Sequence, residues 1–198
     1  MRWVTFAITA YLLLALETGL RTLWSVPWAW DASPSLLLIL LVYLGLWAPP
    51  WKVAWAAVIL GLLGDLYPRA VAGAQPDIAV LGPTALGFAV GAYVLLQLRT
   101  MVFRDSLVTM AVMTFVTGLC AHLLTVAMFV LRGLHLPWIS GFLADSPLPG
   151  WSTSQELLLR FLGLLYTTIL AVPVGWLLLK THKFWAFDPI RGLGEYQE

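Results

Sequence analysis

Apolar residues run through this chain in six long blocks, about 3-20, 34-48, 51-67, 78-98, 107-131 and 157-180, separated by short polar or Pro/Gly-bearing stretches. Each block is near the roughly 20 residues that a membrane-spanning helix requires. The second is the weakest: it reaches spanning length only by tilting or by borrowing the tryptophan-rich approach before it. Pro49-Pro50 ends it, and Pro50 can open the third. Capping residues mark the helix starts: Ser33 before Pro34, Asp77, Asp105 or Ser106, and Thr153 with Glu156 three residues later as a capping box. Pro83 falls inside the fourth block, so that helix either kinks there or begins afresh at Gly82-Pro83. The pattern predicts an all-α integral membrane protein, one domain over residues 1-198, built as a bundle of about six transmembrane helices. The first block opens on one basic residue and has Glu17 where a small-residue cleavage site would stand, so it reads as a retained membrane helix rather than a cleaved signal.

Composition supports the same class: 61% of the 198 residues are hydrophobic, 11% are charged and 11 are tryptophan. A net charge of +1 without a dense basic run gives no footprint for nucleic acid. Cys120 is the sole cysteine, which excludes an intrachain disulfide and a cysteine metal cluster. With the N-terminus in the cytoplasm, Arg2, Lys52, Arg99, Arg104, Lys180, Lys183 and Arg191 fall inside and Arg21, Arg69, Arg132 and Arg160 outside, which favours N-in and C-in. Trp24, Trp28, Trp30, Trp138 and Trp151 then flank outer helix ends, while Trp3, Trp47, Trp51, Trp176 and Trp185 form an inner belt. The longest outer stretch, 132-156, carries LPWISGF and PLPGW and reads as a partly apolar loop on the membrane surface.

The ionisable residues inside the blocks concentrate in the outer half. Glu17 and Arg21, Asp65 and Arg69, and Glu156 and Arg160 each stand four apart. Such pairs contribute only about 0.2–0.5 kcal/mol in water, so for the first and third the plain reading is that they settle helix ends at the headgroups. Asp65 differs, because it shares a helical face with Ala54, Ala57 and Gly61, with Gly64 beside it. A carboxylate there must face a helix bundle, since facing lipid costs a few kcal/mol or more. One reading has it meet the first turn of the fourth helix near Gly82, Thr84 and Ala85, where free N–H groups and the dipole hold a negative charge. Another makes it a partner contact. Gly87 and Gly91 form a small-xxx-small pair suited to close packing. His122 reads as a hydrogen-bonded packing residue, since no second His or Cys stands at metal spacing. No HExxH, GxSxG or phosphate-cradling glycine loop is present, and no helix carries two intramembrane carboxylates, so the chain reads as a non-enzyme without a cofactor.

The stretch Gly61-Leu62-Leu63-Gly64-Asp65-Leu66, followed after a loop by Leu81-Gly82-Pro83-Thr84-Ala85-Leu86, resembles the bacterial rod shape-determining MreD family. The final block, with Ala171-Val172-Pro173-Val174 before a basic end, is similar too. The loop from Arg69 to Asp77 is longer than the family pattern, and Pro83 replaces a small or polar residue. The resemblance implies a non-catalytic multi-pass component of the bacterial cytoplasmic membrane. Its partners would be MreC and, through MreC, actin-like MreB, a RodA-type glycosyltransferase and a class B penicillin-binding transpeptidase that build side-wall peptidoglycan. Gly61, Gly64, Asp65, Gly82, Thr84, Gly87 and Gly91 are the candidate structural or partner contacts. A competing reading from another class is the small-molecule-binding membrane subunit of an energy-coupling vitamin transporter, which needs several convergent polar groups in a pocket.

Overall fold

A computed structural model describes residues 2-19, 33-66, 81-102, 106-133 and 153-185. Within them the regular structure is helical: α1 Trp3–Gly19, α2 Leu36–Trp47, α3 Pro50–Leu66, α4 Pro83–Leu98, α5 Leu107–Gly133, α6 Thr153–Lys180 and a short α7, His182–Trp185. Two of these, α5 and α6, are long and apolar enough to cross a membrane; α1, α2 and α4 are shorter apolar helices. The Asp77 and Asp105 caps, the tryptophan-rich approach to α2, the outer tryptophans, Arg21, Arg69 and the 134-152 loop lie outside the described residues.

The helix that looks weakest in sequence is the centre of the fold. Every residue of α2 from Leu36 to Leu46 is buried, because α3, α4, α5 and α6 pack side by side in chain order and α2 lies against all four. The side of α2 left open is covered by α1, which turns Phe6, Ala10 and Leu14 inward at four-residue spacing. A helix apolar all round belongs in a core. At about 18 Å long, α2 is short, and its neighbours enclose it from Leu36 to Leu46.

Local chemistry sets the helix limits. The N-cap of α2 is Ser35, not Ser33: its hydroxyl accepts from Leu38 N–H at 3.4 Å, two residues further in because Pro34 holds the chain extended ahead of the helix. Ala48, just before Pro49, is extended as a pre-proline residue should be, and α3 opens at Pro50. The fourth block does not kink at Pro83. Gly82 adopts φ +117°, a conformation open to glycine, and α4 restarts at Pro83, whose missing N–H is one that a first turn cannot use anyway. The last block starts earlier than its apolar pattern, with Thr153 as the first helical residue and Glu156 inside the first turn. Pro173 is carried within α6.

Close seams join the arc. A Cβ on Gly87 would lie 2.6 Å from the Ala121 carbonyl oxygen, and one on Gly91 would lie 2.8 Å from that of Thr117, so α4 and α5 touch backbone to backbone. Thr125 fixes their register, donating to Ala121 O at 2.8 Å and to Pro83 O at 3.3 Å. At the base, where α1 begins and α6 ends, α7 folds under α2. Tyr43 Oη and His182 Nδ1 are hydrogen-bonded at 3.1 Å, Trp185 is buried against Tyr43, and its carbonyl accepts from Arg2 N–H at 3.1 Å. Trp185 is therefore a core residue, not part of a surface belt. Outward, the helices present large apolar side chains: Val4 and Tyr11 on α1, Trp55 on α3, Tyr93 on α4, Val108 on α5 and Ile169 on α6 are 60–71% exposed.

Substituting Gly87 or Gly91 by leucine drives a side chain into the α5 backbone and is expected to destabilise the protein by about 1–3 kcal/mol or more. Gly19→Leu, at a position where a Cβ meets nothing within 4 Å, should leave thermal unfolding of the detergent-solubilised protein unchanged. A Gly87→Leu melting curve that overlays the Gly19→Leu curve would disprove the backbone seam.

Candidate functional site

Asp65 stands in the last turn of α3 and is buried, 6% exposed. Its Oδ2 accepts from Gly82 N–H at 2.8 Å and Ala85 N–H at 3.3 Å, and its Oδ1 from Thr84 N–H at 3.2 Å. Pro83 has no N–H to offer, so the carboxylate collects the donors on either side of it. Three backbone donors and the positive end of the α4 dipole compensate a charge that burial alone would make costly. This is the arrangement that the helical face of Asp65 and the first turn of the following helix predict.

The carboxylate reaches these donors because Gly61, one turn earlier on the same face, lets the two helices touch. A Cβ there would press against Ala85 Cα and lie 2.9 Å from Ala85 N. Gly64 is less constrained: a Cβ would meet only the Thr84 methyl, at an ordinary 3.4 Å. Gly61, Gly64, Asp65, Gly82 and Thr84 thus form one junction. Gly87 and Gly91 do not join it, since they lie on the α4 face turned to α5.

A second junction of the same kind was not legible as such in the sequence. Glu17, in the last turn of α1, accepts through Oε2 from Leu36 N–H at 2.9 Å and Leu37 N–H at 3.2 Å. Its role is to cap α2, beyond the helix-end pairing with Arg21 that spacing suggests. The signal that could have found it is the offset: Glu17 reaches donors 19 and 20 residues on, and Asp65 donors 17, 19 and 20 residues on. Thr167 on α6 completes the set by accepting from Ser35 N–H at 2.9 Å. At the other end of α2, Arg99 Nη1 donates to Ala48 O at 2.9 Å and to Gly45 O at 3.3 Å.

Glu156 and Arg160 do pair, Oε1 to Nε at 2.6 Å, with the carboxylate buried. The guanidinium also stands 5.7 Å from the Phe129 ring centroid, so the pair anchors α6 to α5 and is more than a solvated helix end. His122 and Arg160 line a half-open pocket of about 30 Å³ between α5 and α6, together with Leu119, Val126, Phe161 and Leu164. That is room for one or two waters. Among the described residues no three His, Cys, Asp or Glu side chains are grouped to hold a metal ion.

No family model, curated protein or solved structure matches the chain.

Two substitutions at Asp65 separate donor satisfaction from mere bulk. Asp65→Asn keeps an acceptor and should lose less thermal stability than Asp65→Leu, which leaves three N–H groups without their partner at a cost on the order of 1–3 kcal/mol each. The same order, Glu17→Gln above Glu17→Leu, is expected at the α2 junction. Equal folded yield and equal melting for the amide and leucine variants would show that the carboxylates are not held by these donors.

Proposed function

We propose that this chain is a non-catalytic, six-span protein of the bacterial cytoplasmic membrane, N-in and C-in, that serves the cell-wall elongation machinery as an MreD-like partner of MreC. The observation that carries the reading is the Asp65 junction. The two stretches on which the family resemblance rests, Gly61 to Leu66 and Leu81 to Leu86, are separate in sequence and meet at one junction around the buried Asp65. A motif whose acid, glycines and proline serve one helix junction marks a shared architecture more strongly than scattered identities do.

The outward faces support the membrane part of the proposal. Large apolar side chains stand exposed on α1, α3, α4, α5 and α6 alike, and apolar side chains exposed on every outer helix are at home in lipid or against another membrane protein. Shorter helices of 16 and 17 residues then line a thin bundle whose two long members, α5 and α6, cover the full hydrocarbon thickness. The glycine seams at Gly61, Gly87 and Gly91 are occupied inside the bundle, so a partner helix meets the outer apolar faces instead. Through MreC the protein would stand in contact with MreB, the RodA-type glycosyltransferase and the class B transpeptidase.

The test is co-expression with MreC and capture in mild detergent, scored beside retention of small vitamins. Stable co-purification, with rounded or widened cells on depletion in a rod-shaped host, is the expected result. Vitamin retention at sub-micromolar affinity without MreC capture would overturn the reading in favour of a transporter subunit. Reporter fusions should place both termini and residues 99-105 in the cytoplasm and residues 132-156 outside; a cytoplasmic signal from the latter would sink the six-span topology.

A further inference from the structure

Each helix of the arc is pressed onto a neighbour at a glycine. A Cβ on Gly61 of α3 would strike Ala85, one on Gly87 of α4 the Ala121 carbonyl, one on Gly118 of α5 the side chains of Leu38 and Leu164, and one on Gly175 of α6 that of Met110. Helix α1 has no such seam. Gly19 is its one glycine, and a Cβ there meets nothing within 4 Å. The helix buries a single row, Phe6, Ala10 and Leu14, while Val4, Ile8, Tyr11 and Leu12 are each more than half exposed. Among the described residues it packs on α2 and α7, with no more than marginal contact to the arc.

This difference matters inside a bilayer. Lipid tails cover apolar side chains as well as another helix does, so helices are held together there by close packing and by polar bonds. Lacking the first, α1 depends on the second, and its polar bonds stand at its two ends. At the top Glu17 Oε2 accepts from Leu36 N–H and Leu37 N–H. At the base Arg2 N–H donates to Trp185 O at 3.1 Å and the Thr5 hydroxyl to Phe184 O at 3.3 Å.

We infer that α1 is a latched strap, which swings away from α2 as a unit when its end bonds open and thereby exposes to the membrane the flank of α2 that it covers. This rests on the membrane reading proposed above and is independent of the partner named there. A released α1 keeps its internal backbone bonds and stays helical in lipid, and the glycine seams hold α3 to α6 together without it. Glu17 is the upper latch: when the strap opens, Leu36 N–H and Leu37 N–H lose the carboxylate, and reseating restores it.

The experiment uses the full chain with Cys120→Ser, reconstituted in liposomes and spin-labelled at cysteines introduced in pairs. Leu12→Cys on α1 with Ile169→Cys on α6 reports the strap, and Val90→Cys on α4 with Ile169→Cys reports the arc. Distances are read by double electron–electron resonance. Glu17→Leu is expected to raise a second distance component in the α1 pair by about fivefold or more, the effect of losing roughly one net hydrogen bond. Glu17→Gln and Thr5→Val should give smaller rises, while the arc pair keeps one component throughout. An α1 pair that stays in a single component in all three variants overturns the inference, as does a Glu17→Leu change that broadens both pairs alike, which is loosening of the whole bundle. Both of those results leave the membrane reading standing. Release of the wild type from the liposomes by alkaline carbonate overturns the membrane reading itself, and this inference with it.

Discussion

A helix buried over eleven consecutive residues creates a demand that the rest of the structure answers. The first N–H groups and last C=O groups of α2 cannot bond within the helix, and burial denies them water, so each needs a partner carried in by a neighbour. Ser35 hydroxyl serves one N–H, Glu17 two, and Thr167 the N–H of the cap itself. Arg99 serves two carbonyls at the far end. Three helices, α1, α4 and α6, thus have their height relative to α2 set by single side chains, and the apolar contacts between them follow that register.

The Asp65 junction applies the same principle between α3 and α4 with a closer approach. A short aspartate side chain can reach three amides only when the helices nearly touch, and Gly61 supplies that proximity. Charge and packing are therefore coupled at this point: widening the seam by one methyl group would lengthen every bond to the carboxylate. Charge-assisted bonds of this kind are roughly twice as strong as neutral ones, which lets a few of them fix helices whose apolar surfaces alone are slippery.

How far sequence could lead depended on range. The helices were legible because apolar runs and proline positions act locally, and Asp65 was legible because its donors lie at the start of the next helix in the chain. The prominence of α2 was hidden: hydropathy measures length, and length counts against a short helix, while enclosure is decided by five other segments. The second partnership of Glu17 was hidden for a related reason. Arg21, four residues away, offers a ready local partner on paper, and only the placement of α1 against α2 reveals Leu36 and Leu37 as its donors. Trp185 and His182 reach Tyr43 across the whole chain, His182 with a separation of 139 residues, and no local pattern points to such a contact.

These separations also give the contacts an order in time as the chain is made. The Glu17 bonds close a span of 19 to 20 residues and the Asp65 bonds one of 17 to 20, so each helical hairpin can fasten as soon as its second member emerges. The partner of Ser35 N–H lies 132 residues downstream of it, and that of Tyr43 lies 139 residues downstream. A growing chain that has completed α4 therefore holds α2 with one flank bare and its base unsealed, and only synthesis of the last helix and the turn after it encloses the centre. Final stability belongs to the whole chain, and the C-terminal segments act as its closing step.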